Sequence, residues 1–302
     1  MDTKSVRIKA GMMMKGFSWG LGLALMASPL LGCTGDNSDS DTDTDTLPPL
    51  GPLDISPVAG TVSIDTWGSN SGWISADLRE QTAPQIWDEH ASAQDCLAVT
   101  RKEEGSCAQA CYGLCTPEGE CLDAGESISA GDISITGLLT ETTLQFQDGA
   151  YRPTPEPDAS SPMYELNATL QVESDGDSFD GFALSALGVA PLETSLHGAN
   201  LKSASDLTIT WEAESSGQIY VEILLGHHLH PPIAAVLCLT EDDGSHTLPS
   251  SLFENLPETG FFEPHSSTMY RQYTSKTDTS RGPVAFSVRS RAGIGGFFVA
   301  EE

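Results

Sequence analysis

The sequence predicts an all-β protein: an antiparallel β-sandwich with a disulfide-rich excursion. Three observations indicate this class, namely short segments in which apolar and polar residues alternate, turn residues between those segments, and almost no helical periodicity. Many short strands without intervening helices are typical of sandwiches and barrels. The alternating residues are Ile133/Ile135, Leu144/Phe146, Leu166/Ala168/Leu170/Val172, Leu207/Ile209/Trp211, Ile219/Val221/Ile223/Leu225 and Val284/Phe286/Val288.

Turn chemistry separates these predicted strands. Asp-Gly or Ser-Gly pairs occur at 148–149, 175–176, 180–181, 216–217 and 243–244. The pattern SLFE at 251–254 resembles a capping box and predicts a helical turn or two that ends before Pro257. Two weaker strand patterns, 61–67 and 72–78, either add strands to the main domain or form a small separate one. Since no second low-complexity linker interrupts the chain, we expect one continuous β domain.

The charge of the chain argues against some partners. Among 302 residues, 14 are Lys or Arg and 43 are Asp or Glu. Four of the basic residues and one of the acidic ones precede Cys33, so the chain from Cys33 onward carries a formal charge of −32. Such a body repels phosphate backbones and attracts cations. Nucleic acid is therefore excluded as an expected partner.

The N-terminus has the three zones of an export signal. Residues 1–16 are basic, residues 17–31 are apolar and uncharged, and Gly32-Cys33 follows. About fifteen apolar residues are too few to span a bilayer core, which takes roughly 20. A basic region, a short apolar region and then small residues is the arrangement of a secretory signal peptide. The sequence therefore predicts that residues 1–32 direct export and are removed.

The residues Leu30-Leu31-Gly32-Cys33 resemble the lipobox of bacterial lipoproteins, although Leu31 is less usual at its position than Ala or Ser. This resemblance implies that Cys33 receives a diacylglyceryl group, that cleavage occurs before it, and that fatty acids such as palmitate anchor the protein. Two or three acyl chains make a durable anchor. Thr34 after the cysteine implies, by the same resemblance, the outer membrane of the cell envelope. With its acidic linker, the chain is similar to surface lipoproteins of the myxobacterial type, a likeness that implies location and no activity.

Residues 33–52 are expected to form a disordered tether. The stretch alternates Asp with Ser or Thr and ends in a Pro-rich segment, so it offers little that a core could bury. The alternative is calcium binding, because calcium loops use Asp at alternate positions. However, such loops also need a turning glycine and a distant acid, which this ladder lacks. The sequence thus divides into a signal peptide at 1–32, the tether at 33–52, and the β domain at 53–302 with a Cys-rich segment at 96–121.

Six cysteines remain once Cys33 is set aside, an even number that permits three disulfides and fifteen connectivities. They are Cys96, Cys107, Cys111, Cys115, Cys121 and Cys238. Five lie within 96–121, so full oxidation requires one of them to pair with Cys238, and we expect that bond to tie the excursion to the sandwich. The alternative is a thiolate metal site in the C-x₃-C-x₃-C run, but exported thiols tend to oxidise.

Two clusters are weak candidates for metal binding, although the sequence predicts no catalytic residue and no cofactor. His227, His228 and His230 follow a predicted strand, and imidazoles at this spacing suit zinc or copper, with Asp242 or Asp243 as further ligands. Asp175, Asp177 and Asp180 crowd one turn, a loose likeness to a calcium loop without its spacing. A polar surface explains the first cluster and a polar turn the second.

The leading functional hypothesis is a non-catalytic surface or periplasmic module that binds protein, glycan or cations. Sandwiches at cell surfaces commonly work through the loops at one end, and no catalytic constellation stands out. Trp67 and Trp73 bracket a Gly/Ser/Asn turn and are candidates for sugar stacking, although packing at the core or its rim is favoured for them, while Trp211 is expected in the core. The alternatives are a metal-assisted hydrolase that uses the segment from His227 to His230, and a purely structural envelope protein.

Overall fold

A computed structural model of the protein describes residues 53–68, 71–102, 105, 111, 113–122, 124–158, 160–202, 205–214, 217–227, 230–259 and 264–300. All of these belong to one compact unit, Leu47–Glu302. The predicted signal peptide, the predicted lipidation site Cys33 and the predicted tether lie outside the described residues, as do Cys107 and His228.

The fold is all-β, as the sequence predicts. The described residues form strands and one 3₁₀ turn, Ser250–Leu252, and no α-helix. In chain order the strands are β1 (Gly60–Trp67), β2 (Gly72–Leu78), β3 (Trp87–Ala93), β4 (Cys96–Arg101), β5 (Leu114–Cys115), β6 (Cys121–Leu122), β7 (Ile133–Thr136), β8 (Thr142–Gln147), β9 (Ala150–Thr154), β10 (Thr169–Gly176), β11 (Asp180–Leu187), β12 (Leu207–Thr210), β13 (Gln218–Leu225), β14 (Ala234–Glu241), β15 (Ser245–Leu248), β16 (Ser266–Thr279) and β17 (Gly282–Gly296). No helix in the described ranges is long and apolar enough to cross a membrane.

The strands assemble into four sheets. The largest has eight strands in the order β2-β1-β17-β16-β13-β14-β4-β3, and a second has five in the order β11-β10-β7-β8-β9. Two small sheets pair β12 with β15 and β5 with β6. Every pair in the large sheet is antiparallel except β1 with β17, which is parallel. A parallel pair requires a long connection, and these two strands lie at opposite ends of the β domain.

Two apolar cores lie on the same side of the large sheet, which we call its inner face. One core joins the β1 and β17 half to the five-stranded sheet, for example through Ile64, Phe286 and Leu170. The other joins β13, β14 and β4 to a cover formed by β12, β15 and the connections around them. Alternation dictates this arrangement, since residues of β13 are buried at every second position. Trp211 is buried in this second core, as the sequence predicts.

Strand β14 departs from the alternating pattern. Its first five residues are all buried, because the large sheet is covered on both faces here. Ala235 and Leu237 point to the outer face, where they form a small third cluster with Val99. Leu53 and Ile55 pack against that cluster, so the first described residues lie across the outer face.

Of two local structures that the sequence predicts, the hairpin turn forms as expected and the helical turn is shorter than expected. Asp148-Gly149 forms the two-residue turn between β8 and β9, both residues having positive φ, as this dipeptide favours in tight hairpins. The helical turn expected at 251–254 is a single 3₁₀ turn at Ser250–Leu252. Pro249 occupies its capping position, and since proline offers no side-chain acceptor, no capping hydrogen bond prolongs the turn.

The five cysteines that the structure describes are oxidised. Cys238 pairs with Cys96, and Cys111 pairs with Cys121. Cys115 is also disulfide-bonded. The bond from Cys238 thus reaches a cysteine of the 96–121 segment, yet Cys96 itself lies in β4, opposite Cys238 in register. The crosslink therefore joins two neighbouring strands of the large sheet.

A buried charge pair ties the interior together. Arg271, only 1% exposed, donates from Nε to Asp242 Oδ2 over 2.7 Å. Its remaining donors reach Asp242 Oδ1 and the carbonyl oxygens of Ala190, Pro191 and Glu212. The indole N–H of Trp211 also donates to Asp242, over 2.7 Å. A buried guanidinium needs such complete pairing to offset its lost hydration.

Candidate functional site

The outer face of the large sheet carries aromatic, charged and amide side chains where a core would carry apolar ones. Trp67, Arg291, Tyr270 and Tyr220 occupy consecutive register positions on β1, β17, β16 and β13. Because directly opposed residues point to the same face, these four side chains form one row across the sheet. We call this outer surface, from Trp73 on β2 to Trp87 on β3, the aromatic face.

A groove of about 590 Å³ crosses the aromatic face over the central strands. Its floor includes Tyr220, Glu222 and Leu237, and Gln218 and Gln272 also line it. These positions alternate with core residues, so the same strands that build the core also fix the floor. A site built on paired strands is held more firmly than one built on loops.

One wall of the groove is the segment from Leu53 to Ile55. The Ile55 carbonyl accepts a hydrogen bond from Gln85 Nε2 over 3.2 Å, and the Asp54 carboxylate pairs with Lys276 Nζ at 2.7 Å. The hydrogen bond from Lys276 is the main cause that lowers the pKa of Asp54 to about 2. The wall is therefore fastened to β16 by a pair that remains ionised above strongly acidic pH.

Glu222 places a carboxyl group on the groove floor without a hydrogen-bond partner in the described part of the chain. Burial raises its pKa, while the positive charges of Arg289 and Arg291 act in the opposite direction. Burial likewise raises the pKa of the neighbouring phenol of Tyr220. Both groups are thus biased towards their neutral forms, in which each can donate a hydrogen bond to a ligand.

Arg289 holds a fixed ion pair beside the groove. Its Nε and Nη2 donate to Asp65 Oδ1 and Oδ2 over 2.8 and 2.9 Å, and Ser63 Oγ donates to the same carboxylate over 2.8 Å. Asp65 is 1% exposed, so this bidentate pair compensates a buried charge. Two nitrogens of the Arg289 guanidinium, Nε and Nη2, are thereby occupied.

Arg291 has a different environment two residues further along β17. Its Cζ lies 4.6 Å from the ring centroid of Trp67, 5.4 Å from that of Trp73 and 6.0 Å from that of Tyr270. Its Nε is buried and makes no hydrogen bond. Trp67 and Trp73 remain 48% and 40% exposed. The two rings are therefore not buried in a core but pack against Arg291 at the surface, and we call Trp67, Trp73 and Arg291 the aromatic clamp.

Two acids of the aromatic face, Asp65 and Glu222, are not placed as a glycosidase pair. Paired carboxylates in glycosidases stand roughly 5 to 10 Å apart. Asp65 and Glu222 lie on β1 and β13, three strand spacings apart, which is at least about 14 Å. Asp65 is moreover occupied by Arg289. These two acids therefore do not form a catalytic pair.

The histidines predicted as weak metal candidates do not assemble a metal site among the described residues. The rings of His227 and His230 lie 5.6 Å apart between centroids. No third described Cys, His or acidic residue completes a group with them. Asp242, considered from sequence as a further ligand, is instead occupied by Arg271 and Trp211.

The acidic turn considered for calcium lies in the β10–β11 hairpin. Asp180 Oδ2 accepts a hydrogen bond from the backbone N–H of Ser280 over 2.6 Å, and hydrogen bonds from Ser280 lower the pKa of Asp180. Asp177 donates its backbone N–H to the carbonyl of Phe179, which closes the turn. Neither these residues nor Asp175 join a metal-type group among the described residues. The geometry agrees with a polar turn that contacts the β16–β17 hairpin.

One described group does bring metal-type ligands together: Cys96, Cys238 and His246 lie within 4.8 Å of one another. His246 Nε2 is 3.3 Å from Cys96 Sγ, and burial lowers the pKa of the imidazole. Both sulfurs are joined in a disulfide, and a disulfide offers no thiolate to a metal. The group is thus a packed crosslink in its oxidised form.

Sequence reasoning missed the residues that define the groove. The apolar positions of the segment QIYVEILL predicted a strand with one buried face. The same alternation also places Tyr220 and Glu222 together on the other face. Arg291 had no such signal, because its neighbours come from β1, β2 and β16.

No family model, curated protein or solved structure matches the chain.

Proposed function

We propose that this protein is a lipid-anchored lipoprotein of the bacterial cell envelope whose β domain is a non-catalytic module that binds glycans. In this proposal acyl chains on Cys33, palmitate among them, hold the protein at the outer membrane, and the acidic residues that follow act as a spacer. The lipobox pattern supports the anchor. The aromatic face supports the ligand class.

The aromatic face is the observation that carries the glycan proposal. A sugar ring has an apolar C–H surface on each side and a rim of hydroxyl groups. Exposed indoles such as Trp67 and Trp73 fit the apolar surface, and the amides of Gln218 and Gln272 fit the hydroxyl rim. Ligand sites combine apolar walls with a few fixed polar groups in this way.

A panel of polysaccharides tests the glycan proposal. Affinity electrophoresis of the mature protein in gels that contain a β-glucan, a xylan, a galactomannan, alginate or polygalacturonate should show retardation by at least one of them. A Trp67→Ala/Trp73→Ala variant should lose most of the retardation, since stacking contributes about 1 kcal/mol or more per ring.

Leu139→Ala is the matched control, because Leu139 is 56% exposed and lies beyond β7, outside the aromatic face. This variant should migrate like the native protein. Absence of retardation in every gel would contradict the glycan proposal, and so would equal retardation of the tryptophan variant and the native protein.

The anchor has its own test. Cys33→Ser should abolish incorporation of labelled palmitate and leave uncut precursor, because the cysteine sulfur is the atom that accepts the lipid. Cys238→Ser should retain the label, since Cys238 is bonded inside the β domain. Labelling of the Cys33→Ser protein would refute the assignment.

A metal-assisted hydrolase remains the second candidate, on the single observation that the imidazoles of His227 and His230 lie side by side. Catalytic zinc needs three protein ligands and an open position. Stoichiometric zinc in purified protein that is lost on His227→Ala would favour this candidate. Metal-free protein that still binds a polysaccharide would favour the glycan-binding module.

A further inference from the structure

We infer that the aromatic clamp binds the carboxylate of an acidic sugar, so that the glycan this protein recognises carries isolated negative charges. This inference deepens the glycan proposal and rests on it. The clamp would take the acidic unit, and the groove would take its neutral neighbours.

The first step of the argument is the unsatisfied guanidinium. Arg271 directs all its nitrogens to Asp242 and carbonyl oxygens, and Arg289 forms a bidentate pair with Asp65. Arg291 instead forms no hydrogen bond or ion pair with any described residue, and its Nε is buried. A buried donor without an acceptor costs about 1 to 3 kcal/mol. The Nη groups of Arg291 also have no acceptor among the described residues and are not buried, so they are the donors that a ligand would reach.

The second step is that ring contacts do not satisfy the donors of Arg291. A guanidinium is planar and its five N–H bonds lie in its own plane, whereas rings interact with it through their faces. Trp67 and Trp73 therefore hold the guanidinium in place and leave its N–H fork for an acceptor in the same plane. Carboxylates and phosphates match that fork.

The third step uses charge to choose between those two anions. The chain from Cys33 onward carries a formal charge of −32, which repels phosphate groups and densely charged polyanions. Close to the clamp, Arg289 is paired with Asp65, whereas Arg291 forms no ion pair with a described residue and interacts with Glu222, whose pKa burial raises. One cation among many distant acids fits a single monovalent carboxylate.

The fourth step is the position of the clamp relative to the groove. Arg291 is opposite Tyr270 in register, and Tyr270 is opposite Tyr220 on the groove floor. Two strand spacings, about 10 Å, thus separate the clamp from the floor. The two tyrosine rings lie 6.0 Å apart between centroids and bridge this distance. A short oligosaccharide is long enough to occupy both places.

A matched pair of ligands tests the inference. Calorimetry of the mature protein would compare a xylan oligosaccharide that bears one glucuronate with the same oligosaccharide after methyl esterification of its carboxylate. We expect the ester to bind about ten- to a hundred-fold more weakly, as for the loss of a charged hydrogen bond. Arg291→Gln should bind acid and ester equally, and Arg291→Lys should keep part of the preference.

Lys202→Gln is the control for charge, because it removes one positive charge at the exposed Lys202–Glu258 pair, outside the aromatic face. It should preserve the preference for the acid. Equal affinity of the native protein for acid and ester would overturn the inference and leave the glycan proposal standing. Binding of neither ligand, together with a panel in which no polysaccharide retards the protein, would remove both. The comparison of acid and ester binding to the native protein tests the inference even if a variant fails to fold.

Discussion

Arg289 and Arg291 lie two residues apart on one face of β17, and their guanidinium groups have different kinds of partner. Arg289 forms two hydrogen bonds with the buried carboxylate of Asp65, whereas Arg291 contacts aromatic rings and has a buried Nε without an acceptor. The first arrangement is one that stability requires. In our proposal, the second is completed by a ligand.

This contrast predicts different costs for the two Gln variants. Arg289→Gln leaves Asp65 buried and without its ion pair, and should lower the free energy of unfolding by about 2 to 4 kcal/mol, somewhat below the full cost for a buried pair because Arg289 is 31% exposed. Arg291→Gln loses exposed cation–π contacts and should cost about 1 kcal/mol. Urea denaturation measures both. Equal costs would show that the clamp is a structural element.

The Arg271–Asp242 pair should be among the contacts that the fold tolerates least. Asp242→Asn removes the charge that compensates a guanidinium 1% exposed, and we expect a loss of about 3 to 5 kcal/mol. Asp54→Asn breaks the Asp54–Lys276 pair, whose side chains are 53% and 38% exposed, and should cost about 1 kcal/mol or less. Denaturation of the two variants side by side gives the comparison, and similar losses would contradict it.

The two defined disulfides should differ in their contribution to stability. The bond between Cys96 and Cys238 spans a sequence separation of 142, against 10 for Cys111 and Cys121. Loop-closure entropy makes the longer crosslink worth about 2 kcal/mol more. The double alanine variant at Cys96 and Cys238 should therefore unfold at clearly lower urea concentration than the one at Cys111 and Cys121. The reverse order would exclude loop entropy as the main contribution.

Glu222 should make stability depend on pH in a definite direction. Because burial raises its folded pKa above the unfolded value of 4.5, its contribution is fully present below that pH and is lost as pH rises through the folded pKa. Glu222→Gln cannot ionise, so it should melt at a higher temperature than the native protein at pH 7. The difference should close as the pH falls towards 4.5.

Glu173→Gln serves as the control for this pH series, because it removes the same charge from an exposed position of β10. Any general relief of acidic repulsion appears in both variants. A melting-temperature gain that is equal in the two, or that is unchanged between pH 7 and 4.5, would refute the assignment to Glu222.

Local patterns predicted the parts of the fold that depend on local chemistry. The alternation in the segment QIYVEILL determined a strand with one apolar face, and Asp148-Gly149 determined a tight hairpin. The odd number of cysteines at 96–121 required a partner outside, and Cys238 provides it. No local pattern predicted the parallel pairing of β1 with β17, because most of the domain separates the two strands in sequence.

The sequence by itself determined the strand-rich class and the large negative charge, and it predicts the export and lipidation signals, because each is a property of composition or of a short contiguous pattern. Tertiary structure alone decided the site. Trp67 and Arg291 are 224 positions apart in sequence and become neighbours only through the register of β1 on β17. Likewise, the carboxyl of Glu222 acquires its shifted pKa from the strands packed around it. Pairing across a sheet is set by the global balance of burial, which no short segment encodes.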